Sequence, residues 1–245
     1  ALSGLLDIPA NQVLPFSTGV IGERLPVDRL TAGLPAATAA LRESGWVDAA
    51  HGIMTTDTLP KGSSRRVKLG AALVTATGIA KGAGMICPNM ATLLAFVATD
   101  AAVSKAALDA CLASAVQTTF NRISVDGDTS TNDACMLLAS GTAGNPLIDN
   151  TTGSEYAVLL ANITDVFAEL AQAIIRDAEG ATKFITIDVT QGASEADCLE
   201  VAQVIAHSPL VKTAFFASDP NWGRILAAVG RARLSYLDVA TVNIY

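Results

Sequence analysis

The sequence predicts an α/β fold in which helices pack in layers against β-sheet. Segments with apolar residues at helical spacing are mixed with short segments rich in β-branched residues, and the two kinds do not alternate strictly. A regular doubly wound sheet alternates strand and helix, so a layered α/β sandwich fits this pattern better. Hydrophobic residues make up 51 % of the 245 residues and charged residues 16 %, which is enough apolar material for a large core.

The first half of the chain predicts two helices with a strand between them. Residues 27–43 are rich in alanine and leucine, and Gly45 follows as a helix-ending residue. Residues 67–79 hold small and β-branched residues and predict a strand. Residues 101–118 predict a second helix with Asp100 as its N-cap, because a short acidic side chain can accept hydrogen bonds from the first free amides.

The second half predicts short strands and several helices. Residues 122–125 and 135–139 are typical of short strands on either side of a polar loop. Residues 154–178 carry apolar side chains at helical spacing and predict a long helix. Three further elements are predicted: a strand at 184–189 (FITIDV) and helices at 194–207 and 223–233.

Charge and composition argue against several classes of function. The net charge is −7 with no basic run, whereas nucleic-acid binding rests on clustered lysine and arginine. Uninterrupted apolar runs stay short of the roughly 18 residues that indicate a membrane span. Four scattered cysteines and two histidines show no zinc-type spacing, so we predict no metal. Few cysteines and no visible signal peptide predict a reducing cytoplasm.

The most informative stretch is residues 81–96, KGAGMICPNMATLLAF, in which Thr92 follows Ala91 and precedes an apolar run. Taken alone, such a threonine is more often a core residue than a nucleophile. Lys81 lies among glycines, but the Gly-Lys-Ser/Thr of a phosphate-binding loop is absent. The third glycine of a dinucleotide-binding fingerprint is absent as well.

Two upstream segments combine small residues with hydroxyl groups. Residues 16–23 read FSTGVIGE, and the small Thr18–Gly19 pair would let backbone N–H groups approach a ligand, as an oxyanion hole requires. An ordinary strand-to-helix turn is the alternative. Residues 54–58 read MTTDT, where Thr55 could bind a polar amino acid, or the segment could simply cap a helix.

Two acidic segments lie downstream. Residues 126–133 read DGDTSTND, which suggests either a calcium loop or a rigid polar turn, but the bidentate glutamate of a twelve-residue calcium loop is absent. Glu179 follows the long predicted helix, where the helix dipole disfavours a carboxylate. Glu179 is therefore either a solvated surface residue or a group with a partner, such as a substrate ammonium.

Together these motifs resemble the ornithine acetyltransferase (glutamate N-acetyltransferase) family. Thr55 lies 37 residues before Thr92, Lys81 lies 11 before it and Glu179 lies 87 after it, and these intervals are similar to the family arrangement. The segment SVDGDTSTND is also typical of the family. The similarity runs from about residue 13 to about residue 229.

The resemblance implies a self-processed chain. The bond between Ala91 and Thr92 would be cleaved, so that residues 1–91 belong to an α chain and residues 92–245 to a β chain. The two chains would form one intertwined α-β-β-α sandwich of the aminopeptidase/ornithine-acetyltransferase type, assembled as a heterotetramer of two α and two β chains. Family members are longer at both ends, and their C-terminal substrate-binding Asn and Thr/Ser fall outside residues 1–245.

The resemblance also implies roles for residues. Thr92 would be the nucleophile, and its new α-amine, with a reference pKa of about 7.7 to 8, would be the base. Thr18 and Gly19 would hold the oxyanion. Thr55, Lys81, Thr92 and Glu179 would bind the substrates, N-acetylornithine and glutamate. No cofactor is implied, and use of acetyl-CoA as a further donor is left open.

Two other functions compete with this hypothesis. One is an N-terminal-nucleophile aminopeptidase or amidase of the same fold, which would release the acyl group to water rather than to glutamate. The other is a binding module that keeps the fold without the reaction. Cleavage between Ala91 and Thr92 would favour an enzyme over a binding module, and transfer to glutamate would favour the acetyltransferase over a hydrolase.

Overall fold

A four-stranded sheet forms the centre of the molecule. The computed structural model describes residues 1–87 and 93–245. The strands are β1 (Lys61–Leu69), β2 (Ala72–Lys81), β3 (Leu94–Thr99) and β4 (Ala134–Ala139), in the spatial order β1-β2-β3-β4. The first three strands pair antiparallel, and β4 pairs parallel to β3. Gly70, with a φ of 59°, lies in the tight turn between β1 and β2 and takes a conformation that glycine adopts readily.

Helices precede the first strand, separate β3 from β4 and follow the last strand along the chain. In the described ranges they are α1 (Leu2–Leu6), α2 (Val27–Ala39), α3 (Trp46–Gly52), α4 (Lys105–Thr118), α5 (Ser154–Arg176), α6 (Glu195–Ala206), α7 (Pro209–Phe216) and α8 (Trp222–Val229). Short 3-10 turns occur at Ala10–Gln12, Phe120–Arg122 and Val239–Thr241. Serine side chains begin two of the later helices, because Ser194 accepts a bond from the Asp197 amide in α6 and Ser208 from the Val211 amide in α7.

The main core lies between the sheet and α5, which packs on β1, β2 and α4. The inner face of α5 is fully buried, and Phe167 packs on Phe120 with 5.2 Å between ring centroids. By length and composition α5 could also cross a membrane. Its buried apolar stripe instead makes it the core helix of this fold. A smaller apolar cluster joins α6, α7 and α8.

The predicted α/β class is confirmed, and so are most of the predicted helices. The helix predicted at 154–178 is α5, and the strand predicted at 135–139 is β4. The strand predicted at 67–79 is only part of a hairpin, because the turn at Gly70 divides the region into β1 and β2. Helices α1, α3 and α7 and strand β3 were not predicted.

Three local predictions were wrong. Residues 122–125 form no strand, because Phe120–Arg122 continues α4 as a 3-10 turn. Residues 184–189 are assigned to no strand among the described residues, and β-branched composition without a pairing partner does not make one. Asp100 does not cap α4. Ser104 does, whereas an Asp100 oxygen accepts the Thr75 amide at 2.7 Å.

Gly78 in β2 is required by close packing. A Cβ at this position would lie 2.5 Å from Val97 Cγ2 and 3.2 Å from Leu170 Cδ1 of α5. We expect Gly78→Ala to lower the free energy of unfolding by about 1–3 kcal/mol, because the core must shift to admit the methyl group. Chemical denaturation measures this change. The control is Gly62→Ala in β1, where the new Cβ meets only ordinary contacts of 3.7 Å and beyond. Equal stability of Gly78→Ala and the parent would contradict the prediction.

Candidate active site

The candidate site residues gather around the ends of β2 and β3. Residues 88–92, which include Ala91 and Thr92, lie outside the described residues. Lys81 is the last residue of β2 and pairs with Leu94, the first residue of β3. The described chain therefore approaches the predicted cleavage segment from β2 on one side and continues from it into β3 on the other.

The acidic loop at residues 124–133 is bonded to the chain on the upstream side of that segment. The carboxylate of Asp126 accepts the Met85 amide at 2.7 Å and the Ile86 amide at 3.0 Å. The Val125 amide donates in turn to the Ile86 carbonyl at 2.7 Å. Met85 has a φ of 55°, an uncommon conformation for a residue with a side chain, and the bond to Asp126 helps to maintain it.

The same loop is bonded to the chain on the downstream side. The Asp133 carboxylate accepts the Leu93 amide, and the Ala134 amide, which directly follows the loop at the start of β4, donates to the Leu93 carbonyl at 2.9 Å. One loop thus holds both flanks of residues 88–92. The sequence predicts either a calcium site or a rigid polar turn here. In this structure the loop is a polar turn, and the carboxylates of Asp126 and Asp133 accept backbone amides.

Asp133 is the most unusual titratable group at the site. Burial raises the pKa of its carboxyl to about 6, although Ser130, Lys81 and the Leu93 amide act in the opposite direction. The buried Oδ2 atom has no hydrogen-bond partner among the described residues. Such a carboxylate is costly to the fold, and perturbed groups of this kind concentrate at functional sites. The sequence analysis did not single out Asp133.

Thr18 and Gly19 are exposed and lie next to this loop. Asn132 Nδ2 donates to the Ser17 carbonyl at 3.2 Å. Phe16 packs edge-on against Phe96 of β3, with 5.4 Å between ring centroids. These two contacts bring the predicted oxyanion segment to β3 and to the loop that holds Leu93. Open space surrounds the position of a Gly19 Cβ, as a ligand-binding turn requires.

Lys81 is half-buried among charges of both signs. Burial lowers the pKa of its ammonium group, while the nearby carboxylates of Asp57, Asp133 and Glu179 raise it and the cation of Lys61 lowers it further. The carboxylates therefore favour the protonated form against the effect of burial. A protonated lysine here can pair with the carboxylate of a small molecule.

Glu179 lies against the glycines that follow Lys81. Its backbone amide donates to the Ala83 carbonyl at 2.8 Å. Its carboxylate covers Gly84, since a Cβ on Gly84 would lie 2.8 Å from Glu179 Cδ. Glu179 is exposed, but these contacts place it beside the segment of Lys81. The structure brings it to the segment of Lys81, as the predicted substrate-binding role requires.

We expect Gly84→Ala to displace the Glu179 carboxylate. The new methyl group would collide with the far end of a flexible side chain, which can swing away at small cost to stability. If Glu179 binds substrate, KM should rise about 10-fold at unchanged Tm, since small misplacements of binding groups are costly. Steady-state kinetics and thermal unfolding measure the two quantities. Gly33→Ala, on α2 with no neighbour within 4 Å, is the control. An unchanged KM would contradict the prediction.

Thr55 is exposed and connected to the same place through a buried carboxylate. The Thr55 amide donates to Asp57 Oδ2 at 3.2 Å, and Asp57 Oδ1 accepts the Gly82 amide at 2.7 Å. Asp57 does not cap a helix in this structure, because its oxygens join the Thr55 loop to the end of β2. All five described candidates (Thr18, Gly19, Thr55, Lys81 and Glu179) thus lie on segments bonded or packed to the flanks of residues 88–92.

A separate cavity of about 430 Å³ lies between α4, α5 and α6. It is lined in part by Cys87 and His207, whose Sγ and Nε2 atoms are 3.4 Å apart. None of the five described candidates lines it. The candidate active site is therefore the group of charged residues at the strand ends and not this cavity. Residues 1–87 and 93–245 contain no cluster of three or more metal-ligating side chains.

The fold and the site define an α/β protein in which three carboxylates, Asp57, Asp133 and Glu179, surround an ammonium group, Lys81, at the end of a central strand. The chain belongs to the ArgJ family, whose model matches residues 1–245. It is 53 % identical to the "Arginine biosynthesis bifunctional protein ArgJ" of Pseudomonas fluorescens (strain Pf0-1), over 244 residues that cover all of this chain and 60 % of that protein. The protein of the same name from Pseudomonas syringae pv. tomato is also 53 % identical, with the same coverage.

A solved structure agrees with this membership. The arginine biosynthesis bifunctional protein argJ from Bacillus halodurans matches with a TM-score of 0.53 and 41 % identity, over 55 % of this chain and 62 % of that one. The present chain spans 60 % of the length of the two curated relatives. The family resemblance seen in the sequence motifs is therefore confirmed.

Proposed function

We propose that this chain belongs to an acetyltransferase that moves the acetyl group of N2-acetylornithine to glutamate in arginine biosynthesis. The observation that carries the proposal is the arrangement around residues 88–92. One acidic loop binds both flanks of the predicted cleavage segment, and Lys81, Glu179 and Thr55 lie on segments bonded to the upstream flank. The curated relatives are named for bifunctional arginine biosynthesis.

The first chemical step of the proposal is self-cleavage. The Thr92 hydroxyl attacks the Ala91 carbonyl carbon, the Ala91–Thr92 peptide bond breaks, and an ester joins the two residues. Water then hydrolyses the ester, which leaves a carboxylate on Ala91 and a free α-amine on Thr92. Residues 1–91 and 92–245 become parts of an α chain and a β chain.

The second step is acetyl transfer. The Thr92 amine takes the hydroxyl proton, and the oxygen attacks the acetyl carbonyl of N2-acetylornithine. Ornithine leaves with the proton, and glutamate then attacks the acetyl-threonine ester to give N-acetylglutamate. Backbone and side-chain donors at Thr18 and Gly19 stabilise the oxyanion, where one donor is typically worth about 10²–10³ in rate. Thr55, Lys81 and Glu179 bind the substrate, with Lys81 facing its carboxylate and Glu179 its amino group.

The proposal extends to assembly and location. The processed chains form a heterotetramer of two α and two β chains in the cytoplasm, and the reaction requires no cofactor. Acetyl-CoA is a second donor to be tested in the same assay.

The test is a donor assay on the full-length protein. N-acetylornithine and acetyl-CoA are supplied separately, with glutamate or water as acceptor, and N-acetylglutamate and acetate are quantified. Acetylglutamate formed from N-acetylornithine supports the proposal. Acetate as the main product would indicate a hydrolase of the same fold, and no turnover by processed protein would overturn the proposal.

A further inference from the structure

Three buried charged side chains lie beside the candidate site, and we call them the ion triad: Asp57, Lys61 and Asp177. Lys61 Nζ lies 2.6 Å from Asp57 Oδ1 and 2.6 Å from Asp177 Oδ2. The three side chains are 0 %, 2 % and 7 % exposed, in sequence order. The third bond of Lys61 goes to the Leu59 carbonyl at 3.3 Å. An ammonium group has three donors, so Lys61 has none left for a ligand.

The first carboxylate of the triad joins two segments of the site. Asp57 accepts the amides of Thr55 at 3.2 Å and of Gly82 at 2.7 Å. Gly82 directly follows Lys81, so Asp57 fixes the Thr55 loop relative to the end of β2. Burial alone would raise the pKa of Asp57, but the bonds from Gly82, Lys61 and Thr55 outweigh it and the pKa is lowered. Asp57 is therefore held as an anion.

The second carboxylate joins the end of α5 to the start of β1. Asp177 accepts the amides of Thr58 at 3.0 Å and Leu59 at 3.3 Å, and also the Thr58 hydroxyl. It follows the last residue of α5 and stands two residues before Glu179. Burial opposes ionisation of Asp177, but the bonds from Lys61, Thr58 and Leu59 prevail and lower its pKa to about 2.

We infer that Lys61 is a positioning residue, which sets the separation of Thr55, Lys81 and Glu179 by holding Asp57 and Asp177 together. Asp57 joins the Thr55 loop to Gly82, Asp177 joins the following residues Thr58 and Leu59 to the end of α5, and Lys61 is the shared partner of both carboxylates. A buried ion pair is weak as a source of stability, because desolvation offsets the attraction between the charges. The ion triad matters more for geometry than for stability, because the segments that it connects carry Thr55, Lys81 and Glu179, the three substrate-binding candidates.

The triad also acts on Lys81 through charge. Two carboxylates and one ammonium leave a net charge of −1, and the Asp57 carboxylate favours the protonated form of Lys81. Removing Lys61 would alter both the position of Lys81 and the field around it. The expected consequence is weaker binding of an anionic substrate group.

The inference rests on the proposed function, and its test uses Lys61→Met and Asp177→Asn in the full-length protein. We expect KM for N-acetylornithine to rise about 10-fold or more in Lys61→Met and about 3-fold or more in Asp177→Asn, with kcat per folded molecule changed by less than about 3-fold. Amide hydrogen exchange at Thr55 and Gly82 should become faster in both variants. Asp177→Asn is nearly isosteric, so it keeps the inference testable if Lys61→Met does not fold.

The matched control is Arg65→Met. Arg65 also lies on β1 and also pairs with a carboxylate of α5, Glu169, but that pair is about half exposed, and its side-chain bonds reach none of the described candidate residues. Its KM should stay unchanged. Unchanged KM and unchanged exchange in folded Asp177→Asn, with an active parent, would overturn the inference. A parent that transfers no acetyl group would instead overturn the proposed function, and faster exchange would still report on the triad.

Discussion

Thr92→Ala should remain a single uncleaved chain and should show no acetyl exchange. In the proposed mechanism the Thr92 hydroxyl attacks the Ala91 carbonyl, so without it no free amine would form at residue 92. It also removes the nucleophile that would carry the acetyl group. Loss of a nucleophile that acts together with its base typically costs orders of magnitude, and we expect a fall in kcat/KM of about 10⁴-fold or more.

Two controls separate chemistry from folding in this experiment. Thr92→Ser keeps a hydroxyl at the same position and should still cleave and still transfer acetyl, at reduced rate. Thr151→Ala changes an exposed threonine in the turn before α5 and should behave as the parent. Mass spectrometry of the purified proteins measures cleavage, and exchange between N-acetylornithine and ornithine measures transfer. Active Thr92→Ala found as two fragments meeting between Ala91 and Thr92 would refute the mechanism.

What the sequence could predict here is mostly local. Helix α5 could be predicted because its buried residues recur at helical spacing within the segment itself. Asp100 and Ser104 are both good N-cap residues by type, so residue type could not choose between them. The backbone places Ser104, and not Asp100, directly before the first turn of α4. The strand expected at 184–189 rested on residue type alone, whereas a strand also needs a partner.

The candidate site was found through motifs, but its supporting contacts were not. Lys81 and Glu179 were predicted from the order and spacing of motifs that resemble the family, and the structure brings Glu179 to residues 83–84, directly after Lys81. The bond between Lys61 and Asp177 joins residues 116 positions apart, so no local pattern signals it. Asp57 and Lys61 do lie four residues apart, yet four-residue spacing of opposite charges usually means a solvated helix pair and not a buried one.

Asp133→Asn should stabilise the protein at pH 8 and reduce its activity. The pKa of the Asp133 carboxyl is raised from 3.8 to about 6 by burial, so the folded state binds this proton more tightly than the unfolded chain. The contribution of the protonated Asp133 carboxyl to the free energy of unfolding is complete below about pH 4 and is lost as the pH rises through 6. Near pH 8 the buried anion is therefore a net cost, which an amide of the same shape would not carry.

The size of the stability effect follows from the shift. Two pKa units correspond to an upper limit of about 3 kcal/mol, and partial solvent access reduces this to about 1–2 kcal/mol. For a chain of this length that is a rise in Tm of about 2–8 °C at pH 8. The difference between variant and parent should be much smaller at pH 4, where the carboxyl is protonated. Calorimetry at the two pH values measures it.

Activity should move in the opposite direction. Asp133 bonds the amide of Leu93, the residue after Thr92, and its charge favours protonated Lys81. In the proposed transfer step the Thr92 amine takes a proton, and an anion bonded to the next residue, Leu93, would stabilise the charge that develops. We expect kcat/KM to fall about 10- to 100-fold, as for other removed electrostatic groups. A more stable but slower variant would fit the general trade-off between stability and function.

The matched control is Asp128→Asn in the same loop, because Asp128 is exposed whereas Asp133 is half-buried with a buried Oδ2 atom. Its Tm should shift little, and equally at the two pH values. If Asp133→Asn changed Tm by the same amount at pH 4 and pH 8, the carboxyl would not be held at a raised pKa. If it kept full activity, the buried anion beside Leu93 would have no part in transfer, and its cost to the fold would need another cause.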